Sequence, residues 1–372
     1  GSGAQTADGD VNIIGSTIDG RNVIVTAAND VNLQSADNTS QSNTKSGGSS
    51  FGVGWSFGAN PGLFIQGGKS SGQADENGTT HTPAQVTAQD TLTMTSGNDT
   101  NITGAQATGD TIKMNVGGDL NLASQQDTEI YTERNSSTNA SIGFGSGMPS
   151  TGSFSQGKTN SDYQSVTQQS GIYAGSGGFD IEVGGNTDLK GAVISSEAAP
   201  DKNTLSTDTL TWSDIQNKAE YSASGYGINY SSEKGEKGSG IERGFTPSLT
   251  PIVDGDANST TKSAISPGEI IIGGVKVDPN ISRNPETAVN ALAQIFDKKT
   301  VQEQQELASL FGQMAYEAVG EIARKHQMEA IEKSVTADIL KKKDPNDPQI
   351  AILRQEANDI LGEWGPGGTS KI

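Results

Sequence analysis

The chain has 372 residues, of which 31% are hydrophobic and 5% aromatic, with 48 glycines and no cysteine. So small an apolar fraction excludes a single thick core, and the missing cysteine excludes disulfides, thiolate metal sites and cysteine nucleophiles. The net charge of −19 works against nucleic-acid phosphates and anionic lipid headgroups as partners.

Before Pro285 the chain is dominated by Gly, Asn, Ser, Thr, Asp and Gln, poor helix formers and good turn formers. The same mixture suits a disordered chain, so order depends on whether the few apolar residues recur with a structural period. There is no apolar run of about eighteen residues and no basic region followed by an apolar stretch at the start. Gly1-Ser2-Gly3 reads as a cloning remnant, so an export signal is expected upstream.

The apolar residues do recur. Gly9-Asp10-Val11-Asn12-Ile13-Ile14 returns 20 residues later as Asn29-Asp30-Val31-Asn32-Leu33-Gln34. Asn98-Asp99-Thr100-Asn101-Ile102 and Gly118-Asp119-Leu120-Asn121-Leu122 are again 20 apart, and Gly185-Asn186-Thr187-Asp188-Leu189 is a weaker copy. Such a period marks a solenoid. Val11 and Ile13, Val31 and Leu33, Leu120 and Leu122 alternate as a strand with one buried face does, after a Gly-Asp or Asn-Asp turn. One coil cannot bury its own stripe; coils stacked about 4.8 Å apart make a thin continuous core. Asn12, Asn32, Asn101 and Asn121 fall at the same place in each copy, where stacked amides are expected to form a structural ladder.

A larger period of 87 to 89 residues, from Asp10 to Asp99 to Asn186, defines three super-repeats. Each carries a polar insertion, near residues 35–85, 125–170 and 217–240. Bare loops of that length are improbable in a compact domain. Phe51-Gly52-Val53-Gly54-Trp55-Ser56-Phe57 puts every apolar residue on one strand face, and Ile142-Gly143-Phe144 through Met148 nearly repeats it. Tyr226-Gly227-Ile228-Asn229-Tyr230 is the third version. Each insertion is predicted to be a long β-hairpin projecting from the solenoid.

These ten apolar residues are the candidate contacts for a membrane or a partner, because an apolar-out alternating strand of about ten residues is what a barrel strand in a bilayer presents. The alternative is that Phe51, Trp55 and Phe57 fold back on the solenoid. Burying four such side chains contributes on the order of 6–12 kcal/mol at most. A lone hairpin leaves edge groups unpaired in lipid, so insertion requires hairpins to pair or a host barrel to receive them.

Ile270-Ile271-Ile272-Gly273-Gly274-Val275-Lys276-Val277 is a further strand-like run, a candidate closing coil within a linker spanning 241–284. Asn284-Pro285-Glu286 then has the cap, proline and acid of a helix start. Leu307, Leu310, Phe311, Met314, Ala318 and Ile322 follow at helical spacing, and Asp347-Pro348 opens another helix, stopped by Gly365-Pro366-Gly367. The expected fold is mainly β: a right-handed parallel β-solenoid over 1–240 with long hairpin insertions, then a C-terminal α-helical segment over 285–363 and a flexible tail from 364.

Catalysis is poorly served. His81 sits in a Thr/Gly-rich insertion and His326 on a charged helix, both read as solvated. Neither triad nor metal-ligand spacing appears, so no catalytic residue, cofactor or metal is expected. Gly152 to Thr159 fits the phosphate-loop pattern Gly-x4-Gly-Lys-Thr, but the required helix does not follow. Gly177-Gly178-Phe179-Asp180 resembles a calcium nonapeptide yet occurs once, and such sites work in arrays. Most Asp residues fall at repeat corners, where a turn role suffices, which counts against a polysaccharide-active β-helix.

The Gly-Asp-x-Asn-Ile/Leu coils, the Gly-x-Gly-aromatic insertions and the stretch Val301-Gln302-Glu303-Gln304-Gln305-Glu306-Leu307 through Phe311-Gly312-Gln313 together resemble the second filamentous haemagglutinin (FHA-2) repeat region of CdiA-type contact-dependent growth inhibition proteins. Related filamentous-haemagglutinin adhesins share the repeats, and the resemblance covers most of residues 8–340. It implies two-partner secretion through an outer-membrane transporter, display on a Gram-negative cell surface, and delivery of a C-terminal toxin across the outer membrane of a target bacterium. The expected partners are therefore that transporter, that membrane, and the adjacent solenoid and toxin regions of the same polypeptide, with no nucleic acid. The chain departs from the family pattern in carrying neither a Val-Glu-Asn-Asn motif nor a toxin domain before Ile372, so killing is not expected of it. A structural adhesin stalk is the alternative reading.

Overall fold

The structure, a computed structural model, describes residues 9–57, 61–145, 149–232, 244–343 and 347–364. The first super-repeat supplies β1 (Val11–Ile14), β2 (Thr17–Ala27), β3 (Val31–Gln34), β4 (Ala36–Ser56), β5 (Gly62–Thr82) and β6 (Ala84–Ser96). The second repeats that order as β7 (Thr100–Thr103), β8 (Ala105–Val116), β9 (Leu120–Ala123), β10 (Asp127–Phe144), β11 (Thr151–Ser165) and β12 (Gly171–Val183). The third runs β13 (Asn186–Lys190), β14 (Val193–Ser196), β15 (Thr204–Thr207), β16 (Thr209–Ser213), β17 (Ile215–Ser231), β18 (Gly244–Thr261), β19 (Ala264–Ile265), β20 (Glu269–Ile272) and β21 (Val275–Val277). Helices α1 (Lys298–Lys343) and α2 (Gln349–Trp364) close the chain.

Three sheets result. The short strands stack in parallel, in the order β1-β3-β7-β9-β13-β16. A nine-stranded sheet built on β2, β6, β8, β12, β15 and β20 forms the remaining walls of the coils, its longer strands bending where the register shifts at Gly20/Asn22, Ala88/Thr91 and Ala174/Gly178. The register is set by the repeat: Val11 faces Val31 and Thr100 faces Leu120, each 20 residues on, while Val31 faces Thr100 across the looped-out first insertion. Between the walls lies one thin core, including Leu33, Leu92, Ile102, Ile112, Leu120, Phe179, Ile181 and Leu189. Each such side chain contributes roughly 1.5–3 kcal/mol by leaving water.

Two polar ladders run up the stack. Asn32 Nδ2 donates to Asn12 Oδ1 (2.9 Å), Asn101 to Asn32 (2.8 Å) and Asn121 to Asn101 (2.9 Å). At the preceding corner each carboxylate accepts the backbone N–H one coil on: Asp99 N donates to Asp30, Asp119 N to Asp99 and Asn186 N to Asp119, at 2.7–2.9 Å. These corner Asp residues are occupied in holding coils together.

The corner residue after each short strand decides where the chain goes next. Gly15, Gly104 and Gly191 have φ of +52°, +60° and +54°, and there the chain turns into the neighbouring wall. The equivalent residues in the alternate coils are Ser35, Ser124 and Asp214, and after them the chain leaves as a hairpin. The left-handed backbone that makes the sharp turn is open to glycine and strained for the others.

Three expectations need correction. Residues 244–261, read as linker, are the sixth long strand, β18, so the third insertion extends well past residue 240. The run Ile270–Val277 is not one strand: Gly273 and Gly274, with φ of +57° and +76°, make a tight turn, and β21 folds back antiparallel on β20. Pro285 starts only a single 3-10 turn, Pro285–Thr287, and α1 begins at Lys298. The reason is tertiary: residues 290–298 are held against the hairpins, as described below. α2 returns along α1, with Lys333 paired to Glu356 and Arg354 to Asp338 over buried Ala330, Ala337 and Ala357.

Candidate functional site

The insertions do not project separately. All six long strands join edge to edge into one antiparallel sheet, in the order β18-β17-β11-β10-β5-β4. Pairing is continuous along β4 and β5, from Ala36 opposite Thr82 to Ser56 opposite Gly62. Each hairpin is therefore stabilised by its neighbours, which a two-stranded ribbon in water lacks.

Alternation and register sort the side chains of this sheet between two faces. On one face, next to the hairpin tips, Trp55, Leu63 and Phe144 form a cross-strand row, and Val53, Ile65 and Ile142 the next. Phe51, Gly67, Ala140, Gly152 and Tyr230 follow, and then Ser49, Lys69, Thr138, Phe154 and Ile228. Tyr226 stands in the row after that, its ring 6.1 Å from Phe154. Five hairpin strands, β4, β5, β10, β11 and β17, thus contribute to one apolar patch that the sequence presents as three separate motifs.

The patch faces solvent. Phe51 is 79% exposed, Trp55 58% and Phe57, one residue beyond β4, 86%. Val53, Ile142, Phe144, Tyr226, Ile228 and Tyr230 are exposed as well. They do not fold back on the coil stack. Met148 lies outside the described residues.

The opposite face toward the tips has Gly52, Gly54, Gly143 and Gly227 in the alternate positions, with Phe64 between Gly54 and Gly143 and Gln66 beside Gly52. Its root is crossed by residues 290–298. Tyr163 donates its hydroxyl hydrogen to the Leu292 carbonyl (2.8 Å), and Gln294 donates to Glu129 (2.6 Å). Phe296 sits between the rings of Tyr131 (5.2 Å) and Tyr221 (6.0 Å). Lys298 pairs with Glu133 at 3.2 Å and stands over the Tyr131 ring. Burial, then the hydrogen bond to Glu133, pushes the Tyr131 hydroxyl above its ordinary pKa. Burial also acts to raise the Glu133 carboxyl, but hydrogen bonds from Tyr131, Asn135 and Lys298 outweigh it and hold it below the ordinary value. This strap fixes one face and leaves the apolar one open.

His81, expected to be solvated, is largely buried where the first hairpin returns to the stack. Its backbone N–H donates to Asp127 Oδ1 (2.9 Å), its ring Nδ1 lies 3.1 Å from the same oxygen, and Nε2 lies 3.5 Å from Asp37. Asp127 also accepts from Thr167 (2.6 Å). The cluster ties two hairpin roots together. Gly152–Thr159 runs as part of the extended β11, without the strand-to-helix turn that a phosphate loop needs. Among the described residues no cluster of three His, Asp or Glu is placed to hold a metal.

The coil stack with its looped-out hairpins is a repeat architecture, and comparison with known proteins agrees. A family model described as hemagglutinin repeat matches residues 4–138 and 131–227, more than half of the chain. The chain belongs to the hemagglutinin-repeat family. This hemagglutinin-repeat chain is 41% identical over 332 residues to "Toxin CdiA" of Escherichia coli, covering 82% of the chain and 11% of that protein. It is 36% identical to "tRNA nuclease CdiA" of Yersinia mollaretii, covering 92% of the chain and 12% of the relative. To "Deoxyribonuclease CdiA" of Dickeya dadantii it is 38% identical, over 87% of the chain and 10% of the relative. The chain spans about a tenth of the length of these curated relatives. No solved structure matches it.

Sequence reasoning identified the apolar strands but missed two things: the sheet that joins them and the strap behind it. The Gly-to-Ser or Gly-to-Asp change at the coil corner is a signal that could have located the hairpin departures, at Ser35, Ser124 and Asp214.

Proposed function

We propose that this segment is a non-enzymatic delivery region of a two-partner-secreted contact-dependent growth inhibition exoprotein, and that its hairpin sheet engages the outer membrane of the target cell. The observation that carries the reading is the solvent-facing apolar patch formed across adjacent strands by Phe51, Val53, Trp55, Ile142, Phe144, Ile228 and Tyr230. Soluble proteins rarely leave contiguous apolar patches of this kind uncovered unless the patch meets a partner or a lipid surface. Paired strands also meet the main objection to a lone hairpin in lipid, because among the described strands of this sheet only the outer edges of β4 and β18 lack a strand neighbour.

Relatives named for three different chemistries, a tRNA nuclease, a deoxyribonuclease and a 16S rRNA endonuclease, all match this same stretch at 35–38% identity. A segment common to all three supports a role that is independent of the toxin, and so a delivery role. On this reading the chain is secreted through an outer-membrane transporter, displayed on the producing cell and joined to a toxin region of the same polypeptide. The stack is inferred to wind right-handed, the hand that parallel strand crossovers favour.

The test mixes the purified chain with Gram-negative outer-membrane vesicles and follows Trp fluorescence and protease protection. Trp212 and Trp364 are replaced by Phe so that Trp55 reports alone. A blue shift and protected hairpin fragments are expected, with protection lost in the Phe51→Ser, Ile142→Ser, Phe144→Ser variant. Absence of any association would leave a structural adhesin stalk as the better account.

A further inference from the structure

The face that carries the apolar patch also carries a row of cations. Lys45 on β4 is paired by register with Gln73 on β5, Gln73 with Arg134 on β10, Arg134 with Lys158 on β11, and Lys158 with Ser224 on β17. Side chains in one cross-strand row share a face. Lys45, Arg134 and Lys158 are exposed, and together with Ile252 they line a shallow hollow next to Tyr226. Lys69, also exposed, stands on the same face nearer the tips.

Among the described residues none of these four cations has a carboxylate partner. Arg134 and Lys158 are direct cross-strand neighbours, an arrangement of like charges that weakens a sheet. A chain with 44 acidic residues against 25 basic ones has ample carboxylate to neutralise them. Instead the acids on this face lie further toward the root. Asp75 and Asp254 share the next row, and Asp162, Glu220 and Asp256 the one after. Asp75 is engaged by the side-chain amides of Asn43 and Gln73, and Asp162 by Lys218. From tip to root the face therefore reads apolar with Lys69 set among its rows, then cationic, then acidic, and Lys69, four residues tipward of Gln73, is within reach of the cation row by extending its side chain rootward.

We propose that Lys45, Arg134 and Lys158 dock the open face of the hairpin sheet on the phosphate-bearing headgroups of an anionic lipid surface, with the apolar tips directed into it. The inference rests on the membrane reading above and names the chemistry of the surface. The Trp55 row stands about 33 Å from the cation row along the strands, at roughly 3.3 Å per residue, comparable with the hydrocarbon thickness of a bilayer. The acidic rows below are repelled by the same surface and stay in water, which sets both orientation and depth. The net charge of −19 conceals this, because the three cations come from three different strands and meet only through register.

The experiment compares the whole chain with its Lys45→Gln, Arg134→Gln, Lys158→Gln variant. Both are titrated with vesicles of phosphatidylcholine alone and with vesicles containing phosphatidylglycerol at about one part in three. At about one kcal/mol per cation near an anionic surface, the variant is expected to bind the anionic vesicles roughly 100-fold more weakly and the neutral vesicles equally. The wild-type preference for anionic vesicles should shrink at high salt, and inorganic phosphate at constant ionic strength should not displace the protein. Equal binding of the two proteins to anionic vesicles would overturn the proposal while leaving the membrane reading intact. Displacement by inorganic phosphate would overturn it in favour of a free-phosphate site. Failure of wild type to bind either vesicle would sink both. Urea midpoints check the fold: relief of the Arg134–Lys158 repulsion should leave the variant at least as stable as wild type.

Discussion

The ring of Phe64 lies across Gly54, its neighbour on the adjacent strand, so closely that a Cβ at residue 54 would stand 2.8 Å from Phe64 Cε1. Glycine in the Gly-x-Gly motif thus serves the back of the sheet, where an aromatic ring covers the backbone of the bare strand, while Val53 and Trp55 face outward. Gly54→Val is expected to displace Phe64 and loosen the tip of the first hairpin, with faster hydrogen exchange over 51–67 and unchanged protection in the coil stack. Equal loss of protection in β3 or β7 would show instead that tip and stack form one cooperative unit.

The Asn ladder is held at its middle by Asn101, which donates to Asn32 and accepts from Asn121. Asn101→Ala leaves the Asn32 side-chain carbonyl without its donor and the Asn121 amide without its acceptor in a half-buried row, and is expected to cost about 1–3 kcal/mol. The urea midpoint reads this. Asn12→Ala, which removes only a terminal acceptor, should cost less.

Gly104 and Gly274 both have positive φ, +60° and +76°, but only Gly104 is crowded, with a Cβ there reaching 2.7 Å from Ser35 Cβ. Alanine at 274 meets nothing within 4 Å and is expected to cost roughly 1 kcal/mol, the penalty of a left-handed backbone alone. Gly104→Ala should cost more by a measurable margin in the same denaturation series. Equal costs would mean that the corner relaxes freely.

The strap should loosen in acid. Glu133 has a folded pKa below its ordinary value, so its contribution is present above the ordinary carboxylate range and is lost as pH falls through the lowered value. Lys298 has its pKa raised, chiefly by the hydrogen bond with Tyr131, so its contribution is present below the ordinary ammonium value and is lost as pH rises through the raised one. With Lys298 47% exposed, the pair is worth at most about 1 kcal/mol after screening. Protection factors of residues 290–298, taken against intrinsic exchange at each pH, should therefore be highest near neutral pH and fall up to about fivefold below about pH 4. In Glu133→Gln the acid dependence should shrink to what Asp297 supplies, whose carboxyl is held below its ordinary value by hydrogen bonds from Thr300.

Much of the coil stack was legible in the linear sequence, because a coil is a local object. A strand of alternating residues needs one apolar face, the next coil presents the same face 20 residues on, and Asn32 lands on Asn12 by arithmetic alone. The insertions were legible only as individual strands. Nothing local distinguishes a hairpin that projects alone from one that pairs with the hairpin almost 90 residues later, so the pairing of Leu63 with Phe144 and of Phe154 with Ile228 had to come from the structure.

The same limit hid β18. Residues 244–261 have weak strand character of their own, and they are extended because β17 offers an edge of unpaired backbone groups. Pro285 failed to start a long helix for a related reason, since Phe296 is held between the rings of Tyr131 and Tyr221 and α1 begins only after it, at Lys298. By itself the sequence determined the coil period, the buried stripe, the asparagine ladder and which hairpin residues are apolar, all properties fixed within a few dozen residues by alternation and turn chemistry. Only the tertiary structure decided that those apolar residues merge into one open patch above a row of cations, because long-range strand register, which no local pattern encodes, chooses which side chains become neighbours.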